Sequence, residues 1–111
     1  MSYAYLVIYR GKPEDPEAFL RYYMDHHIPI AWTFPKIRDI QIHWGVGYTS
    51  KAGDKSDVFM ISRLIFDTLE DLQIAITSEE RERARTDMKN FPPYKGTVER
   101  QIVKILEMSR G

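Results

Sequence analysis

Residues 37–66, IRDIQIHWGVGYTSKAGDKSDVFMISRLIF, hold two strand-like runs in succession with no helix between them. In Ile37–Val46, Ile40, Ile42, Trp44 and Val46 alternate with Asp39, Gln41, His43 and Gly45, the period of two that marks a half-buried strand. Val58–Phe66, VFMISRLIF, is rich in β-branched and aromatic residues. The connection GYTSKAGDKSD is polar, with glycine, serine and lysine, and has no apolar helical stripe. A parallel pair would need a crossover helix here, so the two runs read as an antiparallel pair joined by a long loop.

On the N-terminal side, Tyr3–Arg10, YAYLVIYR, has strand composition and leads into GKPEDP, a turn followed by a proline suited to a first helical turn. From Pro16 to about Ile28, Phe19, Leu20, Tyr22, Tyr23 and Met24 gather on one side of a helical wheel, opposite Glu17, Arg21 and Asp25. Pro29 is expected to kink or end that helix, because it disfavours helical geometry at Ile28. On the C-terminal side, Thr68 with Asp71 reads as a helix N-cap, followed by Leu69, Leu72 and Ile76 at helical spacing. Thr77 with Glu80 repeats the device before a charged segment, TSEERERARTDMKNF, whose apolar stripe is only Ala84, Met88 and Phe91. Its charge run reads as a solvated face. After PPYKG, Thr97–Met108 has strand composition at its centre.

The order is β-α-β-β-α-β, an α+β, ferredoxin-like arrangement with a four-stranded antiparallel sheet and the helices on one face. With Ala4, Leu6, Ile8, Ile40, Ile42, Trp44, Met60, Leu64, Val98, Ile102 and Leu106 placed under the helices, the other face would carry Tyr3, Tyr5, Val7, Tyr9, Phe59, Ile61, Ile65, Val103 and Ile105. Gln41, His43, Arg63 and Gln101 would lie among them. Such a face is too apolar for water, and a second copy packed face to face would cover it, giving a homodimer of the α/β barrel type.

Bulk properties narrow the classes of function. At 111 residues, the chain reads as one domain spanning 1–111. It has no cysteine, so disulfides, thiolate chemistry and cysteine-ligated metal are excluded. Sixteen basic and sixteen acidic residues cancel, and no basic block or RNP-like segment points to nucleic acid. No run approaches the length of a membrane span, and the first residues lack a signal-peptide pattern, so a cytoplasmic location is expected.

The chain resembles the EthD-like proteins, named for ethyl tert-butyl ether degradation, within the dimeric α+β barrel group. The resemblance is carried by YRGKPEDPEAFLRYYMDHHIPIAW, with its His-x-Pro at His27 and Pro29, then FPKI, then LIFDTLEDLQIAITSEE and DMKNF at Asp87–Phe91. Lys36 stands where the family usually has glycine, and His26 where an apolar residue is common. The resemblance implies the dimeric fold and a pocket between helices and sheet. It also implies relatives that include methylmuconolactone isomerases, cofactor-free oxygenases of polyketide-type aromatics and haem-handling monooxygenases.

Three histidines are the chemical candidates. On a wheel centred on Phe19, His26 falls about 20° and His27 about 80° away, so both lie toward the apolar side. Adjacent positions point about 100° apart, which argues against one metal chelated by the pair, and no metal or other cofactor is expected. His27 reads either as a general acid/base in an apolar cleft or as a helix-end histidine bonded to a backbone carbonyl. The resemblance singles it out by its place before Pro29. His43 and Tyr9 are candidate catalytic helpers, while Trp32, Phe34, Trp44 and Phe91 offer flat apolar surface for a substrate. His26 is expected to pack on Tyr22 and Tyr23. Two functions follow: a cofactor-independent isomerase, cyclase or oxygenase for a hydrophobic carbonyl or aromatic metabolite, or a non-catalytic dimeric carrier of a hydrophobic or haem-like ligand. An enzyme needs a second polar group within reach of His27, whereas a carrier needs only an apolar pocket.

Overall fold

The computed structural model describes residues 1–51 and 53–110; Ala52, in the loop after the second strand, and Gly111 lie outside the described residues. Strand β1 (Ser2–Pro13) leads to helix α1 (Pro16–Tyr22), which runs through a π-helical turn (Tyr23–His27) into α2 (Ile28–Ala31). Strands β2 (Asp39–Trp44) and β3 (Val58–Phe66) follow, then α3 (Leu69–Ile76), α4 (Glu79–Asp87), a 3-10 turn (Met88–Asn90) and β4 (Tyr94–Ile105). The sheet order is β2-β3-β1-β4 with every pair antiparallel, the expected ferredoxin-like arrangement. No helix of the described residues is long and apolar enough to cross a membrane.

Local chemistry sets the helix boundaries. The Asp15 carboxylate accepts from the Ala18 amide at 3.1 Å and Pro16 opens α1, while Thr68 Oγ1 accepts from the Asp71 amide at 3.0 Å at the start of α3. The cap of α4 is Ser78, accepting from the Arg81 amide at 3.2 Å, and not Thr77. The Thr77 hydroxyl donates back to the Gln73 carbonyl at 2.8 Å, closing α3 instead.

The structure corrects the reading of Pro29. The helix neither ends nor breaks at Ile28, which keeps helical angles (φ −61°, ψ −40°). The Ile28 amide bonds the Tyr23 carbonyl five residues back, and this wider turn absorbs the hydrogen bond that proline cannot make.

The face assignment is corrected for β1. Tyr5 and Tyr9 lie beneath the helices with Val7, opposite Leu64, Met60 and Ser62 of β3. Leu6 and Ile8, expected there, occupy the other phase, and Leu106 lies beyond β4 at 65% exposure. Both phases of β1 are apolar, so period two cannot choose between them; the longer tyrosines fill the gap below the helices, and their hydroxyls reach polar partners there. Phe59 also moves to the helix side. It is the extra residue of a β-bulge, since Tyr9 pairs with Met60 and Arg10 with Val58. Its ring stands 5.4 Å from that of Phe19 and 5.9 Å from that of Tyr9.

The core has two parts. One gathers Phe34, Leu64, Phe66, Leu72, Ala75 and Ala84 around Tyr5. The other is an aromatic cluster of Tyr9, Phe19, Tyr23 and Phe59 with Ile28 and Met60. The bare face of the sheet carries Leu6, Ile8, Ile61, Val103 and Ile105, each partly exposed.

Candidate functional site

The π turn decides which histidine enters the interior. A π helix advances less per residue than the α-helical 100°, so the wheel positions do not hold across residues 23–27. His26 comes out exposed, its ring 4.7 Å from that of Tyr22, whereas His27 is buried at 7% exposure.

His27 Nδ1 lies 2.9 Å from Asp87 Oδ2, and the two side chains are only 9% and 11% exposed. Asp87 stands at the last turn of α4, and its other oxygen accepts from the Tyr22 hydroxyl at 2.7 Å and from the Asn90 amide at 3.3 Å. Burial alone would raise the Asp87 pKa, but these donors outweigh it and hold the carboxyl below its ordinary value. It is therefore an ionised acceptor, so the proton between the two residues belongs to Nδ1 of His27. Burial lowers the His27 pKa, with the Asp87 carboxylate opposing it only in part. The imidazole is thus neutral near pH 7, with its lone pair on Nε2, which has no hydrogen-bond partner among the described residues. Phe91 fixes the ring from the side, edge-on at 4.8 Å.

A cavity of about 50 Å³ opens beside His27, between the helices and the sheet. At roughly 10–15 Å³ per water its enclosed part admits about four water-sized groups, and because the cavity is partly open to solvent a larger guest extends beyond it. Tyr5, Val7 and Tyr9 of β1 form its floor with Leu64, and Tyr23, His27, Ala31 and Phe34 form one wall. Arg81, Ala84, Arg85 and Met88 form the opposite wall, and Arg100 of β4 closes the remaining side. Arg81 Nη2 donates to the Tyr5 hydroxyl at 3.1 Å. Since Nδ1 is engaged by Asp87, which does not line the cavity, Nε2 is the nitrogen available to a guest.

Below the wall, Tyr23 and Ser62 share a short hydrogen bond, and Tyr23 also interacts with the Tyr9 hydroxyl. Burial, reinforced by Tyr23, pushes the Tyr9 phenol well above its usual pKa, so it stays protonated and gives its proton to the bond with Tyr23.

The sequence-derived candidates divide. His27, Tyr9 and Phe34 line the cavity, and Phe91 touches His27 from outside it. Trp44 packs on Phe59 at 6.0 Å, and Trp32 is 48% exposed at the end of α2; neither lines the cavity. His43 is not brought to His27. Its side chain is exposed on the opposite face of the sheet, Nε2 standing 3.5 Å from Arg63, because alternation along β2 turns it away from Ile42 and Trp44. Asp87 and Tyr22 were missed as site residues, as were the three arginines. Asp87 sits in the DMKNF segment, but nothing local ties it to a histidine sixty residues earlier. The spacing of Arg81, Ala84, Arg85 and Met88 along one helical face was the available signal for that wall.

Solved structures share this architecture over nearly the whole chain. An EthD (ethyl tert-butyl ether) family protein from Bacillus halodurans C-125 has a TM-score of 0.76 at 23% identity, over 96% of this chain and 100% of its own. The cofactor-independent oxygenase SnoaB from Streptomyces nogalater has a TM-score of 0.64 at 8% identity, over 99% and 98%. A Bacteroides fragilis NCTC 9343 protein described as dimeric with a ferredoxin-like fold has 0.58 at 15% identity, over 94% and 96%. No family model and no curated protein matches the chain. At these identities the likeness is one of fold: the chain has the ferredoxin-like α+β fold of EthD-family proteins, a fold also used by a cofactor-independent oxygenase.

Proposed function

We propose that the chain is a small cofactor-independent enzyme that removes a proton from an activated C–H or enolic O–H of a hydrophobic carbonyl or aromatic compound. The observation that carries this reading is the Asp87–His27 pair at the wall of a cavity. His27 Nε2 is the general base. Asp87 is a positioning residue that keeps the proton on Nδ1 and stabilises the imidazolium formed when Nε2 takes a second one. Tyr9 lines the same cavity as a helper: its one O–H, shared with Tyr23 at rest, turns to the oxygen on which charge develops, and Tyr23 keeps Ser62 as its partner. The resulting carbanion or enolate is the common intermediate of isomerisation, cyclisation and direct reaction with oxygen. Use of this fold by SnoaB supports the oxygenase branch.

A carrier needs only an apolar pocket, whereas this cavity has at its wall an imidazole held by a second polar group, Asp87, the complement that acid–base work requires. The test is a panel of enolisable aromatic ketones and hydroquinones, followed by solvent-deuterium exchange and oxygen uptake. Wild-type protein exchanges or oxidises a member of the panel, and His27→Gln loses a factor of about 10²–10⁴ while circular dichroism is unchanged. Binding without exchange or oxygen uptake in the wild type overturns the enzyme reading in favour of the carrier.

The same reading includes a homodimer built through the bare sheet face. Leu6, Ile8, Ile61, Val103 and Ile105 form an aliphatic patch ringed by Gln41, His43, Arg63 and Gln101, and the described dimeric relative supports a second copy as its cover. Arg63 Nη1 already donates to Gln41 at 2.8 Å, so its charge would enter such an interface with one partner in place.

A further inference from the structure

The cavity beside His27 is positively charged, although the chain as a whole is neutral. Arg81, Arg85 and Arg100 line it, and no carboxylate does. Arg81 and Arg85 each stand 3.7 Å from the same Glu82 oxygen, too far for a close ion pair and shared between two guanidinium groups. Arg100 has no carboxylate within ion-pair distance among the described residues; its polar contact is Met88 Sδ at 3.6 Å, a weak acceptor. Asp87, the acid that holds His27, is already engaged by His27, Tyr22 and Asn90. The arginines also come from two elements. Arg81 and Arg85 are one turn apart on α4, and Arg100 reaches the cavity from β4, so donors converge on it from two sides. Arg85 and Arg100 are exposed and hydrated, so an anionic guest can exchange that water for charge-assisted hydrogen bonds, which a purely hydrophobic guest cannot offer.

Resting on the reading of this cavity as the reactive site, we infer that its substrate is a small organic acid: an aromatic or enolisable compound bearing a carboxylate held by Arg81, Arg85 and Arg100. Its acidic C–H or O–H then faces His27. Guanidinium forks suit a planar carboxylate, and the same charges stabilise the second negative charge that proton removal creates. Tyr5, bonded to Arg81, keeps one fork in place from the floor.

The probes are benzoate and acetate, each compared with its neutral amide, benzamide or acetamide, by NMR chemical-shift titration and thermal shift on the full chain at low salt. Benzoate is expected to shift resonances of cavity residues and raise the melting temperature, with affinity at least about tenfold above benzamide and falling as salt rises. Arg100→Gln and Arg85→Gln, exposed residues whose loss leaves the core intact, each weaken benzoate by about tenfold and leave benzamide unchanged. His27→Gln retains benzoate binding. Equal affinities for acid and amide, absence of benzoate and acetate binding, or benzoate binding indifferent to both arginine variants overturns the acid assignment. Failure of the acid–base reading shows elsewhere, as loss of neither exchange nor oxygen uptake in His27→Gln, so the two outcomes are separable.

Discussion

At the residue scale, the chemistry turns on one proton. Asp87 fixes it on His27 Nδ1 because an ionised carboxylate can only accept. Asp87→Asn presents an amide that can donate to Nδ1 and move the proton to Nε2, which then no longer acts as a base. The expected result is a fall in kcat of more than about 10², with a changed pH profile and an unchanged fold. A structural role alone would shift stability and leave the profile of the residual activity in place. The lowered His27 pKa also sets a sign. The unfolded chain, titrating near the ordinary value of about 6.5, binds more protons than the folded one between that value and the lower folded pKa. Stability is therefore full above about pH 6.5 and declines as pH falls from there toward the folded pKa. Asp87 acts in a lower window: its contribution is present above the ordinary carboxyl range and is lost as pH falls through its depressed pKa. Urea midpoints from pH 7.5 to pH 5 check the histidine part, since His27→Gln flattens that segment of the curve. Lys36 is a separate matter. It sits at φ +65° in the turn before β2, a region that costs a side-chain-bearing residue about 1–2 kcal/mol. Offset by the flexibility glycine adds to the unfolded chain, Lys36→Gly is expected to stabilise by about 0.5 kcal/mol, read as a higher urea midpoint.

At the element scale, β1 and β4 lie backbone against backbone where Gly11 pairs with Gly96. Gly11 has φ +110° and Gly96 φ +152°, and a Cβ on Gly96 would lie 1.7 Å from the Arg10 carbonyl oxygen. Gly96→Ala is expected to cost more than about 3 kcal/mol, because backbone on both strands must separate. An unchanged denaturation midpoint would contradict this account of the pairing. The π turn is the other element with consequences. It lets the helix pass Pro29, and it buries His27 while leaving exposed His26, which a regular helix would also set toward the apolar side. Pro29→Ala permits ordinary hydrogen bonding there. If the turn relaxes to α geometry, His27 rotates away from Asp87, and the downfield Nδ1 proton resonance of that hydrogen bond is expected to disappear.

At the scale of the whole molecule, the sheet has one face under the helices and one that is aliphatic and partly exposed. Ile61→Glu places a charge in the middle of that face without touching the cavity, which lies on the other side. Sedimentation is expected to report a dimer for the wild type and a monomer for this variant. A folded monomer for both would remove the dimer from the proposed function and leave the Asp87–His27 site untouched.

The sequence by itself determined the element order, because strand periodicity in residues 37–46, the turn chemistry of GKPEDP and the Thr68 cap are local signals read within a few residues. The resemblance to EthD-like proteins, not periodicity, marked His27, through its place before Pro29. Only the tertiary structure decided which face of β1 is inside, since both phases are apolar and the choice depends on what the helices leave to be filled. It also brought Arg81 and Arg85 to a cavity wall while Glu79, Glu82 and Arg83 of the same helix stay exposed, and set Asp87 against His27 across sixty residues of chain. Contacts of that sequence separation are specified by the packing of α4 on α2, which no local pattern encodes.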